Sequence, residues 1–431
     1  MKIVYLITGS GGSFYCANCY RDMLYLRAIR KVPGTTAKAI PLYLPPDEDV
    51  DKEHEMDTHV FFGAISMYLR EKVRIFRNMP MFLENFFRLK PFLKLAARMA
   101  GTTRSEGLED MTLNMIKGDA TFRKDEVDRL VKYLNSEGKP DIIHLSNALI
   151  LGLARQLKKR MDVKVVCSLL NEDDWVIDMA ESYQRKAWKM MAEESKYIDA
   201  FITPSKYSKE QFIRETGVKG DNIHIVPMGF DPLDYKRPEE LSRPLTIGYF
   251  DRVSEHNGFD KLVDAFIDIK TKNLIPDLAF HVCGGYTADD KEFIAKQIKK
   301  IKDNDLQKSI KLCNEFSGNQ KAHFFEGVDV ISVPVRKLDG YGLYILEANG
   351  AGVPVVQPAT GAFPEILEKT GGGIIYSPDT VEELSKNLVK ILADDDLRKK
   401  LGDTGSVNVR SELSLDKMAE GLTAVYSKLA T

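Results

Sequence analysis

No window of the 431-residue chain approaches the roughly 18 uninterrupted apolar residues of a membrane-spanning helix, so the sequence contains no candidate for one. The opening run Met1-Lys-Ile-Val-Tyr-Leu-Ile-Thr8 is shorter than the apolar stretch of a secretory leader, and glycines interrupt it at once. It reads as a buried first strand, and the chain is expected to be cytoplasmic. Cysteine is scarce: five residues, Cys16, Cys19, Cys167, Cys283 and Cys313, do not make a disulfide framework. Cys16-Ala-Asn-Cys19 is their one local pattern, and no second Cys/His pair at ligand spacing completes a zinc site. At the start of a helix these thiols are either reactive or simply small side chains packed under a loop; the second reading is preferred. An excess of charge is missing too. Lys and Arg (61) nearly balance Asp and Glu (63), which removes any global electrostatic reason to expect nucleic acid as the partner. The six-residue glycine fingerprint of dinucleotide-binding folds is also lacking, which counts against a nicotinamide enzyme.

What is present describes a globular α/β protein of two domains. Hydrophobic residues make up 44% and charged residues 29%, and the length divides naturally into two domains of roughly 200 residues. Short β-branched runs alternate with amphipathic stretches of helical length, the pattern of βαβ units and parallel sheets. In the first half the strands are expected at 2–8, 37–44, 141–145, 163–169 and 200–203, with helices at 18–31 and 149–160. A second series is expected at 245–250, 278–283, 328–333 and 353–357, with helices at 258–270 and 289–302 between them. Pro227, Pro232, Pro238 and Pro244 punctuate a polar stretch and forbid a regular element there. The expected division is therefore a first domain over 1–230, a linker over 231–244, a second domain over 245–413 and a C-terminal helix over 414–431, able to pack on either domain. Ligands of open α/β sheets sit beyond the carboxyl ends of the strands, so two such domains facing each other place the site in the cleft between them. Between 59 and 118 the alternation stops. Aromatic and aliphatic residues recur there at helical spacing, with an excess of Lys and Arg over 69–98. This is a helical insertion in the first domain, either a packed helix with a solvated basic side or an element that touches a membrane surface at the inner face.

Three patterns suit a phosphorylated sugar ligand. Gly9-Ser-Gly-Gly12 lies between the first strand and a helix, so Gly11 and Gly12 offer unhindered backbone N–H groups to an anion or a hydroxyl. The strand at 245–250 runs into Asp251-Arg252, with Asn257-Gly258 opening the next helix; an arginine fork at the end of a strand suits a diphosphate, though a surface arginine paired with Asp251 or Glu255 is an equal reading. Asp339-Gly-Tyr-Gly-Leu-Tyr-Ile-Leu-Glu347 places one acid before a helix and a second about a turn inside it. Two acids so placed can hold different hydroxyls of one ligand, or serve as an N-cap and a buried glutamate.

The segment Asp339 to Glu347, followed by Ala348-Asn-Gly-Ala-Gly-Val-Pro354-Val-Val and Gly361-Ala-Phe-Pro-Glu365-Ile, resembles the acid-x7-Glu signature of retaining glycosyltransferases of family 4. Asp199-Ala-Phe-Ile-Thr-Pro-Ser205, Ile225-Val-Pro-Met-Gly-Phe-Asp231 and Ile247-Gly-Tyr-Phe-Asp-Arg252 are similar to the segments that flank the family's interdomain linker. The resemblance covers nearly all of the second half and the end of the first; residues 46–125 match loosely. It implies the GT-B fold, two doubly wound Rossmann-like domains facing a cleft. It also implies a nucleotide-diphosphate sugar in the C-terminal domain and an acceptor on the N-terminal side. Glu347 would hold the ribose, Arg252 the diphosphate beside Asn257, and Tyr341, Gly342 and Leu343 the sugar hydroxyls or phosphate by their backbone. Gly284 and Gly285 would lie near the base, and Asp339 and Arg252 would carry the chemistry. Same-face transfer with retention needs electrostatic stabilisation of the leaving diphosphate, so no metal or other cofactor is expected.

Three positions depart from the family pattern: Asp339 stands for Glu, Asn257 for Lys, and Leu170 for a frequent His. Two readings follow. The first is transfer of a hexosyl unit to a saccharide or lipid-linked acceptor, for a surface polysaccharide; the second is a catalytically degenerate GT-B protein that binds a nucleotide sugar or serves as a scaffold.

Overall fold

The computed structural model describes residues 1–8, 17–42, 108–118, 124–170, 172–231, 244–313, 318–336 and 340–430. Gly11, Gly12, Cys16, Asn171, Asp339, most of the expected linker and residues 59–107 of the expected insertion lie outside these. The chain forms two compact units, one from Met1–Gly12, Asn18–Pro227 and Met418–Thr431, the other comprising Met228–Lys417.

The first unit is built on a six-stranded sheet with the order β2-β1-β3-β4-β5-β6 and every pairing parallel. Its strands are β1 (Lys2–Ile7), β2 (Thr36–Pro41), β3 (Ile142–Leu145), β4 (Lys164–Ser168), β5 (Ala200–Thr203) and β6 (Ile223–Ile225). Five consecutive residues of β1 and all four of β3 are buried, as parallel strands covered on both faces must be. The helices are α1 (Ala17–Lys31), α2 (Glu109–Lys117), α3 (Lys124–Ser136), α4 (Gly152–Lys158), α5 (Glu172–Val176), α6 (Glu181–Glu194) and α7 (Lys206–Thr216). The helix expected over 149–160 is interrupted: Asn147 caps a 3-10 turn at Ala148–Ile150 by accepting from the Leu149 N–H, and α4 begins only after it. β6 escaped the sequence reading because it is three residues long and only its first is buried.

In the second unit the order is β12-β11-β10-β7-β8-β9, again all parallel. These strands are β7 (Thr246–Phe250), β8 (Ala279–Cys283), β9 (Ile310–Cys313), β10 (Val330–Ile331), β11 (Val355–Pro358) and β12 (Gly373–Tyr376). Sequence patterning missed the two edges: β9 carries Lys311 and an exposed Leu312, and β12 begins on the last of three consecutive glycines. The helices are α8 (Phe259–Thr271), α9 (Lys291–Asp303), α10 (Gly318–Glu326), α11 (Leu343–Gly350), α12 (Phe363–Thr370), α13 (Val381–Leu392) and α14 (Asp395–Glu412). Asn349, fully buried near the end of α11, donates to the carbonyls of Val353 (3.1 Å) and Gly372 (2.8 Å) and ties the helix to the start of the neighbouring strand segments. The Ala-Asn-Gly part of the signature is thus a packing device.

The last helix, α15 (Leu415–Ala430), joins the first unit from Met418 onward. Its Tyr426 hydroxyl lies 2.7 Å from His144 Nδ1, and Ser168 Oγ lies 2.9 Å from Nε2. The imidazole is fully buried, with the rings of Tyr5 and Tyr25 edge-on to it at 4.9 and 5.7 Å. A neutral imidazole satisfies two hydroxyls, one as donor and one as acceptor. Burial, and secondarily the positive charge of Arg21, lowers its pKa to about 3. The unfolded chain therefore binds a proton near pH 6.5 that the folded chain refuses until about pH 3. The stability held by neutral His144 is complete above pH 6.5 and is lost as pH falls toward 3. Urea unfolding of the wild type and of His144→Gln from pH 7.5 to 4 checks this: the advantage of the wild type should shrink below pH 6.5, and a constant difference contradicts it.

Candidate functional site

In a doubly wound sheet a ligand crevice opens where strand order reverses, beyond the carboxyl ends of the strands. In the second unit that point lies between β7 and β10, neighbours whose following connections lead to opposite sides of the sheet. The loops leaving β7, β8 and β10 carry the sequence-selected residues Arg252, Asn257, Gly284, Gly285, Tyr341, Gly342 and Leu343.

These loops are packed backbone on backbone. A Cβ on Gly258 (φ +69°) would stand 1.9 Å from the carbonyl oxygen of Pro334, and one on Gly284 (φ +138°) would stand 2.0 Å from that of Asp251. Neither position has room for a side chain. Further bonds close the arrangement: Asp251 N–H donates to Cys283 O (3.2 Å), Val253 N–H to Gly285 O (2.8 Å) and Arg336 N–H to His256 O (2.8 Å). Arg336 also grips Asp260 with two nitrogens at 2.6 and 2.7 Å.

Arg252 is held rather than left to wave in solvent. Its Nε and Nη2 donate to the two oxygens of Asp290 at 3.0 and 2.9 Å. Thr287 donates to Asp290 from both its backbone N–H (3.0 Å) and its hydroxyl (2.7 Å), a capping box that opens the turn before α9. Burial alone raises the Asp290 pKa; the bonds from Arg252 and Thr287 outweigh it and hold the carboxyl below its usual value. The Arg252 carbonyl accepts from the Tyr249 hydroxyl (2.8 Å) and from Asn257 Nδ2 (3.0 Å), so the Asn257 side chain braces the arginine's backbone.

On the other side of the reversal, Gly342 (φ +48°) is the N-cap of α11, Leu343 is its first residue and Tyr341 is buried. One turn inside, Glu347 is almost wholly buried and forms an ion pair with Lys321 of α10. Neither Lys321 nor Asp290 is among the site residues expected from the sequence. Thr287-Ala-Asp-Asp290 has capping-box spacing, so that carboxylate could have been found. Lys321 carried no local signal, since its partner is 26 residues away. Of the remaining selected residues, Gly11, Gly12 and Asp339 lie outside the described residues, and no group of three metal-ligating side chains occurs among those described.

In the first unit the order reverses between β1 and β3. Near there Leu170, where the resemblance led to a histidine, is buried, and its N–H donates to Glu172 Oε2 at 2.7 Å. The other oxygen of Glu172 accepts from Ala148 N–H at 2.8 Å, so this carboxyl staples the ends of β3 and β4. Burial outweighs these two bonds and lifts the Glu172 pKa to about 7.

Two family descriptions match the chain: "Glycosyltransferase Family 4" over residues 113–232 and "Glycosyl transferases group 1" over residues 234–407. Among curated proteins, a D-inositol 3-phosphate glycosyltransferase of Corynebacterium jeikeium is 23% identical over 219 residues, 48% of this chain and 52% of that protein. The chain spans about half the length of most of the first curated relatives it matches. Among solved structures, sucrose-phosphate synthase from Thermosynechococcus elongatus superposes with a TM-score of 0.73 at 16% identity over 100% of this chain and 99% of that one. Anabaena Alr3699/HepE, solved in complex with UDP and glucose, does so with a TM-score of 0.72 at 15% identity over 99% of this chain and 100% of that one. Two parallel six-stranded sheets, a fold shared along the whole chain and two adjoining family matches agree: the chain belongs to the GT-B glycosyltransferases of group 1, family 4.

Proposed function

We propose that the protein transfers a hexosyl unit from a nucleotide-diphosphate sugar to a saccharide or lipid-linked acceptor, with retention of configuration and without a metal. The observation that carries this reading is the convergence, at one strand-order reversal, of a braced arginine, a paired-glycine turn, a helix N-terminus and a buried glutamate. The guanidinium of Arg252 meets the diphosphate, and the backbone N–H groups at Gly342 and Leu343 add the positive end of α11. Glu347 accepts from the ribose hydroxyls, and the turn at Gly284 and Gly285 lets the base approach main chain. Charge accumulates on the leaving diphosphate in the transition state, so donors fixed beforehand lower the barrier most. A fold neighbour captured with UDP and glucose is in keeping with this use of the fold.

The second reading, a GT-B protein that binds a nucleotide sugar without transferring it, is favoured by one observation. Both charges assigned to the donor already have opposite charges against them, Asp290 on Arg252 and Lys321 on Glu347. An arginine shared with a carboxylate attracts an anion less than an unpaired one. Incubating the protein with a panel of nucleotide sugars and following donor consumption separates the two: turnover supports the transferase, and saturable binding with no turnover of any donor supports the binder.

Two substitutions test the residue roles. Glu347→Ala would orphan Lys321, and a buried charge stripped of its partner costs about 3–5 kcal/mol, so folding and binding would be confounded. Glu347→Gln keeps an acceptor beside Lys321 and is expected to weaken nucleotide-sugar binding about tenfold, roughly 1.4 kcal/mol, in calorimetry. Affinity equal to wild type removes Glu347 from the donor site. Arg252→Ala should weaken a nucleoside diphosphate by about tenfold or more while changing nucleoside binding little. Equal losses for both ligands show that Arg252 does not touch the diphosphate.

A further inference from the structure

Two cysteines that the proposed reaction does not use lie side by side beneath the site. β8 and β9 pair in parallel with Phe280 opposite Ile310, His281 opposite Lys311, Val282 opposite Leu312 and Cys283 opposite Cys313. Register-paired residues of parallel strands point to the same face, and neighbouring strands run about 4.8 Å apart, inside the roughly 4.4–6.8 Å of Cα separation that a disulfide spans. The two side chains therefore stand next to each other, close enough for their interaction to shift the pKa of both. Among the described residues they belong to no cluster that could hold a metal ion.

Their surroundings differ in a way that suits stepwise oxidation. Cys283 is buried, whereas Cys313 is half-buried on the edge strand of the sheet. The interaction with Cys283 lowers the Cys313 pKa to about 6, with help from Lys311 and against the effect of burial. The same interaction, together with burial, raises Cys283. A thiolate that solvent reaches is the form that attacks a disulfide.

Cys283 is also the residue from which the paired-glycine turn departs. Its carbonyl holds Asp251 N–H, Gly284 lies against the Asp251 carbonyl, and Gly285 O holds Val253 N–H. Drawing the two sulfurs together to about 2.05 Å shifts the end of β8, and the close packing passes that shift to the segment bearing Arg252.

We propose that Cys283 and Cys313 are an oxidisable dithiol, which a small disulfide such as oxidised glutathione closes into a disulfide that reshapes the Gly284–Gly285 turn and weakens the adjoining donor site. The Cys313 thiolate attacks one sulfur of oxidised glutathione, forming a mixed disulfide and releasing one glutathione. Cys283 then attacks the Cys313 sulfur, and the second glutathione leaves. Two protein thiols lose two electrons and two protons, and one oxidised glutathione becomes two reduced ones. The effect on donor affinity rests on the site reading above; the crosslink does not.

The test uses the full reduced chain, exposed to oxidised glutathione and mapped by intact mass, non-reduced peptide digestion and hydrogen exchange, with nucleoside diphosphate affinity measured before and after. The expected result is a mass lower by about 2 Da, a linked peptide pair containing Cys283 and Cys313, altered exchange over residues 284–286 and about tenfold weaker binding. Dithiothreitol should reverse all four, and Cys313→Ser should show none. A stable glutathione adduct on Cys313 without the crosslink, no reaction at either thiol, or a crosslink that leaves exchange over 284–286 unchanged overturns the proposal. A reduced protein that binds no nucleoside diphosphate overturns the donor-site reading and the affinity effect with it, while mass and exchange still decide the dithiol.

Discussion

Three loops of the second unit meet at the carboxyl edge of its sheet only because no side chain stands at Gly258 or Gly284. Each glycine lies against a neighbouring carbonyl oxygen at a distance no Cβ tolerates, and each has a backbone conformation that L side chains rarely adopt. From this close approach the rest of the site follows. The turn after β8 is pinned to the segment after β7 by main-chain bonds on either side of Arg252, and the segment after β10 is pinned to the mouth of α8. Arg252 and the N-terminus of α11 therefore take their places from backbone geometry.

Charge is arranged with the same economy. Arg252 is matched by Asp290, itself fixed by a capping box, and Glu347 is matched by Lys321. Near-complete burial of the two carboxylates makes them costly to leave without a partner, so both pairs are kept closed in the folded protein. The consequence is a rigid site of nearly balanced charge. On the function proposed above, a diphosphate would share Arg252 with Asp290, and a ribose would share Glu347 with Lys321. Such a site gives up some ground-state attraction in return for donors that need no reorganisation when negative charge develops.

The fold was legible in the sequence where burial is two-sided. β1, β3 and β7 read as apolar runs because parallel central strands are covered on both faces. The edges were not legible: β9 is half-exposed and carries a lysine, β6 is three residues long and β12 begins on the last residue of a glycine run. Of the candidate site residues, Arg252, Gly342 and Glu347 stand out in the sequence as an arginine, a glycine and an acid at strand-to-helix junctions, and Gly284 is named only through the family resemblance. What could not be read was which charges would meet. Asp290 is 38 residues from Arg252 and Lys321 is 26 from Glu347, and pairs so far apart in sequence are created by topology. The role of Asn257 also changes with the structure in view. At a position where the family resemblance points to a lysine, its amide holds the carbonyl of Arg252, so it acts on the arginine's backbone.

The central claim is that the loops after β7, β8 and β10 hold the diphosphate and ribose of a sugar donor. A crystal structure of the protein with its tightest-binding nucleoside diphosphate tests this most directly. The account predicts the diphosphate within hydrogen-bond distance of the Arg252 guanidinium and the N–H groups at Gly342 and Leu343, with the ribose hydroxyls on Glu347. A nucleotide bound elsewhere, with Arg252 and Glu347 touching only Asp290 and Lys321, would contradict it.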